Sequence, residues 1–335
     1  MISGDMIRKA IALGAILGFA TLAATGTAAA QPPAKAARIG VLFASTPAAT
    51  SHLLEGLRGG LREQGYVEGR SIVLETRYGR AGAVRMSDLA AELVGMKVDL
   101  LVAATDPATA ALRQQTESIP IVMANATDPV GTGFVSSLAR PGGNVTGLSA
   151  LSPELAGKRL ALLRDLVPAL ERVAIVWNPD VRGALFDYKE TEAAARALRV
   201  RLQSVEVSRA EDIARAFSAI TEQRAQAFIV QTPNPVLFAH RRQLVDFARK
   251  SRLPSMYGQK EFADAGGFIS YGPNTAALWR RAAGYVDRIL KGAKPADLPV
   301  EQPSIFELAV NLKTAKDIGI AIPPTLLQQA DHVIQ

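Results

Sequence analysis

Short polar side chains recur where apolar runs end, in "LLVAATDPATAAL" (100–112), "IPIVMANATDPVG" (119–131) and "VAIVWNPDV" (173–181). The residues concerned are Ser45, Thr46, Thr105, Asp106, Asn125, Thr127, Asp128 and Asn178, joined by Gln231, Tyr257 and Tyr271 further on. Hydroxyls, amides and free helix N–H groups make reversible hydrogen bonds, and helix N-termini attract anions. Such a set suits capture of a small carboxylate, with an Asp for an ammonium and aromatic rings for the body of the molecule. Three or four charge-assisted bonds at about 1.5–3 kcal/mol each, with one stacked ring, reach the roughly 8 kcal/mol of micromolar binding.

Signals for catalysis are weak by comparison. With no cysteine there is no disulfide, thiolate metal site or thiol nucleophile. The first strand runs into "LFASTPAAT" without the glycines of a dinucleotide site, and no phosphate-cradling Gly-x4-Gly-Lys-Ser/Thr segment exists. "GLSAL" around Ser149 lacks the second glycine of a nucleophile elbow. His52, His240 and His332 stand far apart, without metal spacing, and His52 reads as a half-exposed helix residue. Asp106 and Asp128 form an acid–base pair only on paper, because both occupy helix-cap positions. No catalytic residue, metal or cofactor is expected.

The elements that must hold the polar set follow from the same runs. Thr, Asp or Asn before Pro punctuates a helix start, and a short apolar run before it reads as a buried strand. From Arg38 onward strands alternate with amphipathic helices: "ARIGVLFAS", "SIVLETRYG", "VDLLVAA", "IPIVMAN" and "GNVTGLS" in one half, "RVAIVWNPD", "VRLQSVEVS", "AQAFIVQTP", "LPSMYGQ" and "GGFISYG" in the other. A short helix is also expected near "VGTGFVSSLA". The pattern predicts an α/β chain of two parallel sheets flanked by helices, with "R-[IV]-[GA]-[VI]" opening each half at 38–41 and 172–175. We assign 38–150 to the first lobe and 151–300 to the second. The Pro-punctuated tail, about 305–335, is expected to cross back to the first lobe and complete a multi-strand hinge. In an open parallel sheet the ligand lies beyond the carboxyl ends of the strands, and every polar junction falls there.

Residues 1–30 have another purpose. A basic start at Arg8 and Lys9, the apolar "IALGAILGFATLAA" and small residues up to Ala30 make a cleavable export signal. The apolar stretch is shorter than the ~20 residues of a spanning helix. The expected location is the periplasm, after cleavage near Ala30. The formal charge of +7 becomes +6 once Asp5, Arg8 and Lys9 leave, and it is scattered over helices such as "RRQLVDFARK". Scattered charge of this kind argues against nucleic-acid binding.

The segments "GLREQGYVEGRSIVLETRY", "PVGTGFVSSLARPGGNVTGLS", "ELAGKRLALLRDLVP" and the long run from "RRAAGYVDRILKGAKPADLPVEQPSIFELAV" to "LLQQADHVI" resemble the ABC-transporter substrate-binding protein family related to the tryptophan-type binding proteins. The likeness covers nearly all of 38–335. It implies the type I periplasmic-binding-protein fold, two Rossmann-like lobes joined by three crossovers, and a monomer without enzymatic activity. Such a protein delivers a small solute, aromatic amino acids being the best-known cases, to a membrane permease driven by an ATPase. By position the resemblance places ligand at Ser45, Thr46, Thr105, Thr127 and Asp128. Many relatives have a Gly-Thr-Pro type junction where this chain reads Ala104-Thr105-Asp106-Pro107, an extra carboxylate able to bind an amine or repel a carboxylate. Two other readings stand beside this one: an exported α/β enzyme using cleft carboxylates, and the ligand-sensing module of a regulator. The export signal and the lack of a helix-turn-helix segment weigh against the latter.

Overall fold

The structure, a computed structural model, describes residues 36–80, 84–150 and 152–335; the export signal expected at 1–30 lies outside the described residues. Strands β1 (Ala37–Phe43), β2 (Ile72–Tyr78), β3 (Leu100–Ala103), β4 (Ile121–Ala126) and β5 (Val145–Ser149) form one parallel sheet in the order β2-β1-β3-β4-β5. Side chains alternate across it, as the strand period of two requires. Ile39, Val41 and Phe43 join the core under helix α1 (Pro47–Glu63), while Leu42, Leu101 and Ala103 pack with α2 (Met86–Gly95) and α3 (Asp106–Gln115). Burial on both faces explains why these strands read as continuous apolar runs. The short helix expected near 131–139 is a set of turns, with Gly133 at φ +76°.

The second sheet holds β6 (Arg172–Trp177), β7 (Arg201–Glu206), β8 (Ala227–Val230), β9 (Ser255–Tyr257), β10 (Ile269–Pro273), β11 (Phe306–Asn311) and β12 (His332–Ile334), ordered β12-β11-β10-β9-β8-β6-β7. It is parallel except where β10 meets β11. Around it lie α4 (Ser152–Leu166), α5 (Arg182–Ala197), α6 (Asp212–Glu222), α7 (Pro235–Ala239), α8 (Arg241–Lys250) and α9 (Lys260–Asp264). The fold is thus α/β in two lobes, each a largely parallel sheet between helices.

The allocation of the last third differs from the expected one. Helix α10 (Thr275–Leu290), assigned above to the second lobe, packs on the first. Its Leu278, Trp279, Ala282, Ala283, Tyr285, Val286 and Ile289 share one core with Leu53, Leu54, Leu57 and Leu61 of α1. Gly56 and Gly60 let the two helices meet closely: a Cβ on Gly60 would strike the Arg280 carbonyl and lie 2.7 Å from Ala283 Cβ. The chain then runs along β5, with Val300 N–H on Leu138 O and Ser149 N–H on Glu301 O. The tail from 306, assigned above to the first lobe, is β11 and β12 of the second, with α11 (Leu312–Ile318) and α12 (Pro324–Gln329). Leu308, Val310, Ala315, Ile318 and Leu326 bury themselves there against Leu160 and Leu163. The lobes are therefore joined at three places: after β5, between β10 and α10, and at 302–305.

Candidate functional site

The carboxyl ends of β1, β3 and β4 face those of β8 and β9 across a small cavity, part of it open to solvent. From the first lobe it is lined by Phe43, Ser45, Thr50, Leu53, Thr105 and Asn125; from the second by Pro233, Asn234, Pro235, Phe238 and Gln259. Phe43 is held flat between Tyr78 and Trp279, with ring centroids at 5.1 and 4.8 Å. Opposite it, Phe238 is braced edge-on by Phe262 at 6.1 Å and covered by the Arg241 guanidinium at 4.8 Å. The walls are therefore rigid and aromatic, and no described residue lining this cavity is ionised.

Five polar atoms on that lining are buried without a hydrogen-bond partner in the protein: Ser45 Oγ, Thr105 Oγ1, Asn125 Oδ1, Asn234 Nδ2 and Gln259 Oε1. A buried polar group left unmatched costs about 1–3 kcal/mol, so five converging on one space form a site built for a polar guest. Local chemistry accounts for how they are held. Asn234 spends its Oδ1 capping α7, accepting from Val236 and Leu237 N–H at 3.1 and 3.2 Å, which leaves its Nδ2 for the cavity. Thr105 starts α3 but makes no cap bond, whereas Thr46 caps α1 by accepting from Ala49 N–H at 3.3 Å. Asn125 sits where β4 shifts register against β5 between Met123 and Ala126. There Gly147, at φ +132°, presses on the Met123 backbone where any Cβ would collide.

Of the residues expected from sequence, Ser45, Thr105 and Asn125 line the cavity, and the others serve elsewhere. Asp106 is buried between the lobes. Its Oδ1 accepts from Thr127 N–H at 3.0 Å, its Oδ2 has no partner, and burial pushes its carboxyl up to about 6. Both Asp106 and Thr127 abut Gly183 of α5, where a Cβ would run into the Asp106 carboxylate and lie 2.9 Å from Thr127 Cβ. Asp128 closes a turn, accepting from Gly131 N–H at 2.8 Å. Asn178 accepts from Asp180 N–H at 2.9 Å, and Gln231 donates to the Ala184 carbonyl. Tyr257 ends β9, as expected, whereas Tyr271 stands in the middle of β10, and both rings point into the second lobe. Tyr257 stacks on Phe262 at 4.7 Å and is fully buried; Tyr271 packs beside Phe306. A strand sends alternate side chains to opposite faces, and both rings are on core-facing positions.

Sequence reasoning missed Asn234, Phe238, Gln259 and Arg159. Asn234 had a readable signal, the Asn-Pro helix start in "QTPNPVLF". Arg159 had one too, an arginine inside the leucine stripe of "ELAGKRLALL". It is 3% exposed, its Nε donates to the Tyr271 carbonyl at 2.9 Å, and burial lowers its pKa against the opposing field of Asp187. With Thr232, Gly258 and Thr275 it walls a second, smaller cavity that shares Asn125, Pro233 and Gln259 with the first.

Two hinged α/β lobes with a polar-studded aromatic cavity between them define a solute-capturing protein. The comparisons agree: residues 38–334 match the model of the ABC transporter substrate binding protein family, and the chain belongs to that family. It is 24% identical over 268 residues to a tyrosine-binding protein of Clostridioides difficile, covering 79% of this chain and 76% of the relative. A conserved domain protein of Vibrio cholerae superposes with TM-score 0.84 at 26% identity, over 89% of this chain and all of that one. The ABC domain of Streptococcus pneumoniae in complex with L-Trp does so with TM-score 0.83 at 27% identity and the same coverage.

Proposed function

We propose that this protein is the extracytoplasmic solute-binding component of an ABC importer, holding an amino acid with an aromatic or apolar body between its lobes. It works by binding and domain closure without chemical turnover, acts as a monomer and passes its cargo to a permease driven by an ATPase. Export follows from a leader cleaved near Ala30.

The observation that carries this reading is the set of five partnerless polar atoms contributed by both lobes to one aromatic cavity. Neutral amide and hydroxyl groups supply hydrogen bonds that the two charges of a zwitterion require in a partly desolvated site, and the zwitterion brings no net charge into it. Phe238 offers a ring face, and Phe43 the edge of its stacked ring, to an apolar body. That relatives are described as tyrosine-binding, or were crystallised with L-Trp, supports the same solute class.

The test is thermal denaturation of the protein beginning at Gln31 against the amino acids and related aromatic acids. A solute at one hundred times its dissociation constant stabilises the fold by about 2.7 kcal/mol. L-tyrosine or L-tryptophan is expected to raise Tm and to be recovered unchanged by mass spectrometry. No shift with any amino acid, or conversion of the bound one, overturns the proposal.

A further inference from the structure

A carboxylate that takes no part in lining the cavity lies on the seam where the lobes meet. Asp106 is 4% exposed, and its Oδ1 accepts from the Thr127 N–H of its own lobe. Its Oδ2 has no hydrogen-bond partner and is covered from across the gap by Gly183 of α5, where an added Cβ would strike it. Only a residue without a side chain lets the α5 backbone come so near. Thr105 and Asn125, which line the cavity, stand one residue before Asp106 and two before Thr127. The movement that brings the second lobe onto a solute is therefore the movement that brings α5 onto this oxygen.

The charged groups on the elements packed here do not compensate for that cover. Asp128, in the loop after β4, repels the carboxylate. On α5, Arg182 has an exposed side chain and Asp187 is buried near Arg159. On α3 itself, Arg113 turns to the Gly133 carbonyl. Desolvation is the largest influence on Asp106, Asp128 adds to it, and the Thr127 hydrogen bonds oppose both, leaving the carboxyl at about 6 with the lobes together. Parting the lobes removes α5 but leaves Thr127 in place, because Thr127 belongs to the same lobe. A carboxyl returned to water and still accepting from Thr127 has no reason to lie above the ordinary carboxylate range. The two arrangements therefore bind a proton unequally between about pH 4 and 6. Covering the protonated group costs nothing in charge desolvation; covering the ionised one carries the whole penalty.

We propose that Asp106 couples closure of the lobes to uptake of a proton, so that acid favours the closed, loaded form and a return to neutral pH favours release. The inference rests on the capture-and-closure reading given above and adds a second ligand to it, the proton. Asp106 acts here as a positioning residue: it touches the opposite lobe and not the solute, and its protonation state sets how readily α5 settles against α3. Gly183 is the other half of the device, since it brings backbone, and no side-chain donor, against the Oδ2.

Calorimetric titration with L-tyrosine, which stays a zwitterion between pH 5.0 and 7.0, tests the coupling. Going from pH 7.0 to 5.0 is expected to tighten binding by about tenfold. The heat measured in buffers of different ionisation enthalpy is expected to show about one proton taken up per solute at pH 5.0 and almost none at pH 7.0. Asp106→Asn and Asp106→Ser are expected to lose both the pH dependence and the proton uptake, and two replacements are used so that a folding defect in one does not decide the result. Because His52 pairs with Glu261 across the same gap, Glu261→Gln is titrated in parallel and is expected to keep most of the change. Equal affinity of the unaltered protein at the two pH values overturns the proposal. So does a dependence that survives in both Asp106 variants, or one that disappears in Glu261→Gln with Asp106 intact. Failure of the unaltered protein to bind L-tyrosine at either pH overturns instead the amino-acid reading, and this inference with it.

Discussion

At the scale of single residues, Asp106 shows how a cap can be mistaken for a ligand contact. Thr-Asp-Pro predicts a carboxylate at a helix start, and one is there, yet it faces the other lobe and not the cavity. Its carboxyl is raised from 3.8 to about 6, first by desolvation, with Asp128 adding repulsion and the Thr127 hydrogen bonds opposing both. A raised carboxyl favours the protonated form in the fold. The resulting penalty is absent below the unfolded value, grows as pH rises from about 4 to 6, and is complete above that. A rise of this size corresponds to about 3 kcal/mol, offset by the 0.3–1 kcal/mol an acid contributes at a helix N-terminus. Asp106→Asn is therefore expected to stabilise the protein by roughly 2 kcal/mol at pH 7.5 and to lose that advantage at pH 4. Urea unfolding at the two values checks it, and equal effects at both would show that the carboxyl is not perturbed. Ser45, Thr105 and Asn125 were legible because a strand end followed by a helix start leaves no other place for them. Whether a given side chain then looks into the cavity or into a core depends on register, which is why Tyr257 and Tyr271 were misplaced.

At the scale of elements, the strands were legible because burial on both faces makes them apolar throughout, and the helices because their apolar stripes are regular. Partnership was not. The stripe of α10 announces that it is buried but not against what. Only the glycines at 56 and 60, four apart on α1, hint that a second helix comes close enough to need them. Likewise "FELAV" reads as a strand, but its antiparallel seat beside β10 follows from the crossover at 302–305, which no local pattern encodes. The α1–α10 contact yields the sharpest prediction at this scale. Gly60→Ala puts a methyl group into the Arg280 carbonyl, a backbone atom that cannot rotate away. Overpacking of this kind costs about 1–3 kcal/mol, more than the ~1 kcal/mol that alanine returns in helix propensity. Urea unfolding is expected to show a net loss for Gly60→Ala and a net gain for Gly95→Ala, whose Cβ would meet nothing within 4 Å. A gain at both would mean the helices are not in close contact.

At the scale of the whole molecule, the contacts that tie the lobes away from the hinge include Asp106 and Thr127 against Gly183, the Asp128 turn against Phe186, and His52 Nε2 to Glu261 Oε1 at 2.9 Å. None of these residues lines the cavity, so they act on how long the lobes stay together and not on the fit of the solute. A solute shifts such an equilibrium only through its differential affinity for the two arrangements, and anything that weakens the joined state releases it sooner. The His52–Glu261 pair is partly solvated, with side chains 37% and 20% exposed, and exposed pairs contribute about 0.2–1 kcal/mol. Glu261→Gln is therefore expected to weaken L-tyrosine binding by up to about fivefold, almost wholly through faster dissociation. Gly183→Ala drives a methyl group into Asp106 and Thr127 and is expected to cost tenfold or more, with a larger radius of gyration in the presence of solute by small-angle X-ray scattering. Stopped-flow dissociation rates unchanged in both variants would show that these contacts do not hold the lobes together, and that retention of the solute depends on the cavity alone.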